Sequence, residues 1–393
     1  MAKRITLDFL KTESTAGVLL AAAALGAILM ANSPADGIYF RFLQAPFTIQ
    51  IGGFAETLSV LDWVQQGLMA VFFFVVGLEI KYEALKGELA SPRRLALPIV
   101  AALAAVAVPA LVYLAANAGP SGAAQGWPTP IATDIAFAMS ALAVAGPRLP
   151  STLRVFLLTM AIVEDLVAVG VIGVAFTSDL RIAALAAAAA CLALMGLMTR
   201  WRGAPYLAYA VGFVLVWAFT LKSGVSTSVA GVAAAMTIPI EPRKPGRPGV
   251  LEDFMDSLHP YVAFGILPLF AFCAAGFDFG RLGLRDLASP VTLGVAAALA
   301  IGKPLGVFGA TFLLVTFKAA RKPLGARWIE LLGVAMITGV GFTLSLFIGA
   351  LAFPLGESVQ GQLRAGVILG SLIAGAAGMG VLAWSQSRRD RET

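Results

Sequence analysis

The sequence predicts an all-α polytopic membrane protein with about 12 transmembrane helices. Its 393 residues are 59% hydrophobic and only 13% charged, and the mean hydropathy is +0.88. A soluble globular protein is about one quarter charged, so this chain has too little polar surface to meet water on all sides. In addition, about 12 apolar runs are long enough to cross a bilayer.

The predicted spans follow one another along the whole chain. Turn-forming or charged segments separate them, and none is long enough for a soluble domain, so we expect one membrane domain over residues 1–393. The spans are residues 14–32, 60–82, 95–117, 122–145, 150–177, 182–199, 205–221, 224–240, 258–277, 289–316, 327–352 and 363–385.

The lysines and arginines predict the orientation. With the N-terminus in the cytoplasm, 21 of the 28 basic residues fall in cytoplasmic segments, six fall in outer segments, and Lys303 lies within a span. This bias follows the positive-inside rule and predicts an inner-membrane protein with both termini in the cytoplasm. The first run lacks a small-residue cleavage site, which favours a span over a signal peptide. The basic residues are scattered between apolar runs, so the pI near 9.5 does not indicate nucleic-acid binding.

Four ionisable residues lie in predicted spans and away from the span ends: Asp134, Glu164, Asp165 and Lys303. A charge in the middle of a bilayer costs about 2.5–3.5 kcal/mol, so we expect these groups to face one another or a water-filled cavity. A structural ion pair is one interpretation of Lys303 with a single acid. Because one lysine cannot neutralise three carboxylates, the other acids need protons or metal cations as partners.

Glu164 and Asp165 are adjacent on a helix and therefore point about 100° apart. We expect one of them to face Asp134 and the ion path, and the other to reach sideways to Lys303. Carboxylate oxygens suit hard cations such as Na⁺, Li⁺, Ca²⁺ or Mg²⁺. The two cysteines, Cys191 and Cys273, lie in apolar runs, and no cofactor is expected.

Two spans contain helix-breaking residues near their centres. Prolines and Thr133 precede Asp134 in residues 128–134, and a glycine pair lies within residues 338–343. Close helix packing is the simpler explanation of the glycines. However, the two breaks lie at matching places in segments 95–177 and 289–385, which run in opposite directions. Such a pair predicts an inverted-repeat transporter with two interrupted, crossing helices. Asp134 would offset the partial positive charge of helix N-termini, and Lys303 the negative charge of C-termini.

Eight stretches together resemble the bacterial NhaA-type sodium/proton antiporters, and they span essentially the whole chain. Antiporters of this type are themselves among the examples behind the interrupted-helix rule. The stretches are MAVFFFVVGLEIKYE (69–83), ATDIAFA (132–138), AIVEDLVAV (161–169), LKSGV (221–225), LHPYVAF (258–264), LPLFAF (267–272), IGKPLG (301–306) and GVGFTLSLFI (339–348).

The resemblance implies export of cytoplasmic Na⁺ or Li⁺ in exchange for external protons, with two protons per Na⁺. It implies that Asp165 is the principal carrier of ions and protons, and that Asp134 and Thr133 lie at the helix crossing and contribute to Na⁺ binding. It also implies that Lys303 pairs with residue 164. The chain is then a transporter rather than an enzyme, and sodium-coupled symport or a cation channel remains the alternative.

Several positions depart from the usual pattern of the family. Glu164 replaces the first residue of an Asp-Asp pair, which leaves open whether it also binds the ion. Ser226, Gln66 and Tyr82 replace a His, an Asp and an Arg in regions associated with pH control, so we expect altered pH regulation. The loop Pro34–Gly53 has alternating residues, and by resemblance it is expected to form a hairpin at a homodimer contact.

Overall fold

The computed structural model confirms an all-α polytopic membrane protein. It describes residues 2–51, 54–87, 92–177, 179–200, 204–241, 249–280, 282–353 and 357–392. The α-helices are α1 (Ala2–Ala31), α2 (Asp36–Gln44), α3 (Val60–Trp63), α4 (Met69–Leu85), α5 (Pro92–Ala116), α6 (Ile135–Ala145), α7 (Ser151–Ala175), α8 (Ile182–Met198), α9 (Tyr206–Ser223), α10 (Thr227–Thr237), α11 (Val250–Tyr261), α12 (Leu267–Ala275), α13 (Leu284–Leu287), α14 (Pro290–Ala297), α15 (Lys303–Thr316), α16 (Trp328–Ile337), α17 (Phe342–Ala352) and α18 (Glu357–Glu392).

Tighter and wider helical turns join several of these helices. The 3₁₀ turns are Ala124–Gly126 and Thr129–Ile131, and the π-helical turns are Val64–Leu68, Val262–Ile266 and Ala298–Gly302. The last two π turns carry α11 into α12 and α14 into α15 without a loop, so each pair forms one long span.

Each of the 12 predicted spans coincides with a helix or with consecutive helices. Among the described residues, six helices are long and apolar enough to cross a membrane, and three bent helix pairs pass the same test together. Helices α8 and α10 are apolar but shorter. The bends of 47° before α6 and 43° before α17 lie at the two predicted interruptions.

The predicted hairpin is present but lies further along the chain than expected. Strands β1 (Pro46–Ile51) and β2 (Phe54–Ser59) pair antiparallel, with Pro46 opposite Ser59 and Ile51 opposite Phe54. The first half of the predicted loop is α2, which buries Tyr39 and Leu43 on one face. This spacing of four residues is helical, which explains why the alternating pattern failed there. Residues 52 and 53 lie outside the described residues.

The chain forms two compact units. The first comprises residues 1–33, 91–168 and 274–393, and it holds almost all of the two predicted repeats. The second comprises residues 34–90 and 169–273. There, the main-chain oxygen of Gln66, in a π turn, accepts hydrogen bonds from Trp217 Nε1 at 2.7 Å and Thr227 Oγ1 at 2.8 Å. The single-domain organisation and the inversion of the repeats stay predictions.

Glycines bring helices of the first unit into close contact around the interrupted spans. A Cβ atom on Gly306 of α15 would lie 2.4 Å from the main-chain oxygen of Ala104 in α5. A Cβ atom on Gly339, between α16 and α17, would lie 2.3 Å from the main-chain oxygen of Leu299. Both distances are too short for a side chain, so only glycine permits these helices to approach so closely.

Candidate functional site

The two interrupted spans touch each other where their helices stop. Before α6, the 3₁₀ turn Thr129–Ile131 ends and the backbone becomes extended at Ala132. Between α16 and α17, the chain passes through residues 338–341 with its glycine pair. The amide of Asp134 donates to the main-chain oxygen of Val340 at 2.8 Å. A direct backbone hydrogen bond therefore joins the two breaks.

Asp134 is bound by the N-termini of two different helices. Its Oδ1 accepts from the amide of Phe137 at 3.2 Å, which makes Asp134 the N-cap of α6. Its Oδ2 accepts from the amide of Thr343 at 3.1 Å and from Thr343 Oγ1 at 2.5 Å, in the first turn of α17. Helix N-termini carry partial positive charge and unpaired amides. One buried carboxylate therefore accepts hydrogen bonds from both N-termini. It also offsets their partial positive charge, as the sequence predicted.

Lys303 and Glu164 form an ion pair that is fully buried. The Nζ–Oε2 distance is 2.6 Å and both side chains are 0% exposed. Thr133 completes the group, since its Oγ1 lies 2.8 Å from Lys303 Nζ and 2.6 Å from Glu164 Oε2. A buried pair is tolerated only when further hydrogen bonds satisfy the two charges, and the Thr133 hydroxyl lies within hydrogen-bond distance of both.

The Thr133 hydroxyl also reaches the C-terminal end of α16. Its Oγ1 lies 2.9 Å from the main-chain oxygen of Thr338, which follows the last residue of that helix. The hydroxyl has one proton, so it donates either to Thr338 or to Glu164 while it accepts from Lys303. The Thr133 hydroxyl thus lies between the ammonium of Lys303 and the partially negative end of α16.

A π-helical turn and two glycines place Lys303 in the interior. Lys303 is the first residue of α15 and directly follows the turn Ala298–Gly302. Such turns insert an extra residue into a helix and are frequent at functional sites. Gly302 and Gly306 lie against α5, where a Cβ atom on Gly302 would be 2.9 Å from Pro109 Cα. The lysine therefore starts from a backbone that is itself deeply buried.

Asp165 follows Glu164 directly on α7 and lies beside this group. Asp165 is also buried, at 2% exposed. The second oxygen of Glu164, Oε1, has no hydrogen-bond partner among the described residues. Adjacent helix positions point in different directions, and here Glu164 is the acid whose oxygen contacts Lys303.

All five predicted site residues lie in the first unit, and four of them form two sets of contacts. Asp134 binds helix N-termini, whereas Glu164, Lys303 and Thr133 bind one another. In the described part of the chain, no group of three or more His, Cys, Asp or Glu side chains lies together as a metal cluster would. Carboxylate and hydroxyl oxygens in this arrangement suit single small cations and protons, and their roles in transport stay predictions.

The sequence interpretation did not assign Thr338 or Thr343 to the site. Both lie in residues 338–343, whose glycine pair predicts the break, and each is buried. A hydroxyl residue on each side of a glycine break could have indicated these roles, because the unpaired backbone groups at helix ends need side-chain donors and acceptors. Which helix end each would meet depends on the fold and was not readable from the sequence.

Comparison with known proteins identifies the family. The profile of the family described as Na⁺/H⁺ antiporter 1 matches residues 7–382. The Na⁺/H⁺ antiporter NhaA of Rhodospirillum rubrum is 45% identical over 398 aligned positions, which cover 98% of each chain. The proteins of the same name from Albidiferax ferrireducens and Campylobacter concisus are 45% and 42% identical; the alignments cover 97% and 98% of this chain, and 97% and 95% of theirs. With its helix breaks meeting at buried carboxylates, this chain belongs to the Na⁺/H⁺ antiporter 1 family.

Proposed function

We propose that this chain exports cytoplasmic Na⁺, and also Li⁺, across the bacterial inner membrane in exchange for external protons. The observation that carries the proposal is the buried group of three carboxylates and one lysine around the meeting point of two interrupted helices. Ionisable groups inside a membrane protein mark ion pathways and proton relays. The exchange is electrogenic, with two protons per Na⁺, as the resemblance to the family implies.

We assign Asp165 as the carrier, with Asp134 and Thr133 as further ligands of Na⁺. Glu164 Oε2 is occupied by Lys303 and Thr133, which supports leaving the binding of the transported ion to its neighbour. Na⁺ and protons then compete for the same carboxylate on either side of the membrane. The Lys303 ammonium holds Glu164 in place.

The test is Asp165→Asn in purified protein reconstituted into liposomes with a pH-sensitive dye inside. We expect Na⁺ or Li⁺ added to the wild-type protein to change the internal pH, and the variant to show no such change, because an amide neither carries a proton nor neutralises a cation. Asp179→Asn is the matched control, since Asp179 is an exposed aspartate outside the helices. Persistent Na⁺-dependent proton movement by Asp165→Asn would contradict the assignment.

The same assay separates the alternative functions. A cation channel would pass Na⁺ without coupled proton movement, and a sodium-coupled symporter would need a co-transported solute. The buried lysine within the site favours exchange, because a fixed positive charge opposes a freely conducting cation pore.

We further propose that both termini lie in the cytoplasm, that the chain forms a homodimer through its hairpin, and that it works in the lipid bilayer without cofactor or nucleic acid. The bias of basic residues supports the orientation. Green fluorescent protein fused to the C-terminus should fluoresce, whereas secreted alkaline phosphatase fused at the same place should be inactive. Active phosphatase would contradict the orientation.

A further inference from the structure

The last turns of α18 hold a buried carboxylate that the transport site does not use. Glu330, in the first turn of α16, has a side chain that is 0% exposed. Arg389 binds both of its oxygens, with Nε–Oε1 at 2.6 Å and Nη2–Oε2 at 3.0 Å. The amide of Arg327 donates to Oε2 at 2.8 Å, and Ser385 Oγ lies 3.5 Å from Oε1. Two-point binding by arginine fixes direction as well as distance.

The same arginine also binds the turn that leads into α16. Arg389 Nη2 donates to the main-chain oxygen of Gly325 at 2.7 Å. Gly325 has a φ of +76°, in the left-handed region that favours glycine. Arg389 therefore holds both the first turn of α16 and the bend before it.

A neighbouring residue of α18 binds the other interrupted span. In the amide orientation that satisfies both neighbours, Gln386 donates to the main-chain oxygen of Ala145 at 3.0 Å and accepts from the amide of Arg148 at 2.7 Å. Ala145 is the last residue of α6, so the Gln386 amide donates to a main-chain carbonyl that has no partner within the helix. We call Ser385, Gln386 and Arg389 the α18 clamp.

The clamp therefore binds one end of α6 and one end of α16, and the opposite end of each helix lies at the ion site. Helix α6 begins after Asp134 and ends at the clamp, and α16 begins at the clamp and ends beside Thr338. With 11 and 10 residues, each spans about 15 Å. Just before the clamp, α18 packs closely on α16, where a Cβ atom on Gly333 would lie 2.6 Å from Leu382 Cδ2.

We propose that the α18 clamp is a positioning device for the ion site, in which Arg389 and Gln386 set the relative placement of α6 and α16. Each of these short helices moves as a rod. A shift of the clamped end of α6 therefore displaces Asp134, and a shift of the clamped end of α16 displaces the Thr338 carbonyl. This inference rests on the proposed ion site, because its effect reaches the ion only through Asp134 and Thr133.

The decisive variant is the double substitution Glu330→Met with Arg389→Met. Arg389→Ala alone leaves a buried, unpaired carboxylate and can fail to fold, whereas a buried pair replaced by apolar residues of similar size keeps or raises stability. The double variant removes the directional bonds but leaves no uncompensated charge. We expect a melting temperature close to wild type, together with a Na⁺ concentration for half-maximal exchange that changes by about 2- to 30-fold.

Two single variants complete the experiment. Gln386→Leu, which breaks only the link to α6, should change the half-maximal Na⁺ concentration in a folded protein. Arg391→Ala is the matched control, because it removes a nearby exposed arginine of α18 outside the clamp and should leave exchange unchanged. Wild-type values in both the double variant and Gln386→Leu would overturn the clamp as a positioning device. If Asp165→Asn also exchanges normally, the proposed site fails; if it is inactive, only the clamp fails.

Discussion

At the residue scale, the ion pair between Lys303 and Glu164 depends on a third group. Two charges removed from water lose several kcal/mol of hydration each, and their attraction offsets this only when their other hydrogen-bonding positions are filled. Thr133 contributes one hydroxyl to both charges. It also contacts Thr338 at the end of α16, so the same oxygen connects the pair to the helix break. The pair is therefore part of the interrupted-helix structure.

Removal of the lysine should destabilise the protein strongly. In Lys303→Ala, Glu164 stays buried without its cation, and we expect a loss of about 3–5 kcal/mol in the free energy of unfolding. Thermal unfolding in detergent measures this. The control is Lys303→Met with Glu164→Gln, which removes both charges and should recover most of the loss. A single variant with an unchanged melting temperature would show that the pair contributes nothing to the fold.

At the element scale, close approach between helices places the site. The π turn Ala298–Gly302 and α15 lie against α5 through Gly302 and Gly306, and the break after α16 lies against the same π turn through Gly339. Without a hydrophobic driving force between helices in lipid, association relies on such close packing and on interhelical hydrogen bonds. The placement of Lys303 at the start of α15 follows from this contact.

Gly306→Ala should disturb that contact. The new Cβ atom would lie 2.4 Å from the main-chain oxygen of Ala104, which cannot rotate away. We expect a loss of about 1–3 kcal/mol from overpacking, with reduced Na⁺-dependent exchange because Lys303 moves with α15. Gly309→Ala, one turn along the same helix, has nothing within 4 Å of the new atom. This control should be neutral or more stable by about 0.5–1 kcal/mol, and equal effects at both positions would contradict the packing argument.

At the scale of the whole molecule, the bound ion should stabilise the folded transporter. A ligand that binds only the folded state adds about 2.7 kcal/mol when its concentration is 100 times its dissociation constant. We therefore expect the melting temperature to rise with added NaCl or LiCl and to remain constant in choline chloride at the same ionic strength. Asp165→Asn should lose the rise. A rise of equal size in that variant would place the binding site elsewhere.

Much of the architecture was predictable because hydropathy is a local property. Every predicted span coincides with a helical segment, and the breaks before α6 and α17 were marked by proline and glycine. The helix over Asp36–Gln44 was not predicted, because the alternation in residues 34–53 indicates a hairpin instead. The π turn before Lys303 has no clear local signal, because its extra residue is stabilised by the helices packed around it.

The sequence by itself determined that this protein lies in a membrane, that its spans are interrupted twice, and that Asp134, Glu164, Asp165 and Lys303 lie within those spans. The reason is that the exclusion of charge and irregular backbone from lipid acts on each segment separately. Only the tertiary structure decided that Thr133 connects the Lys303–Glu164 pair to the end of α16, that Asp134 caps two helices, and that α18 contacts the ends of both α6 and α16. Those contacts join residues far apart in the chain, and no local pattern records which helix ends will meet.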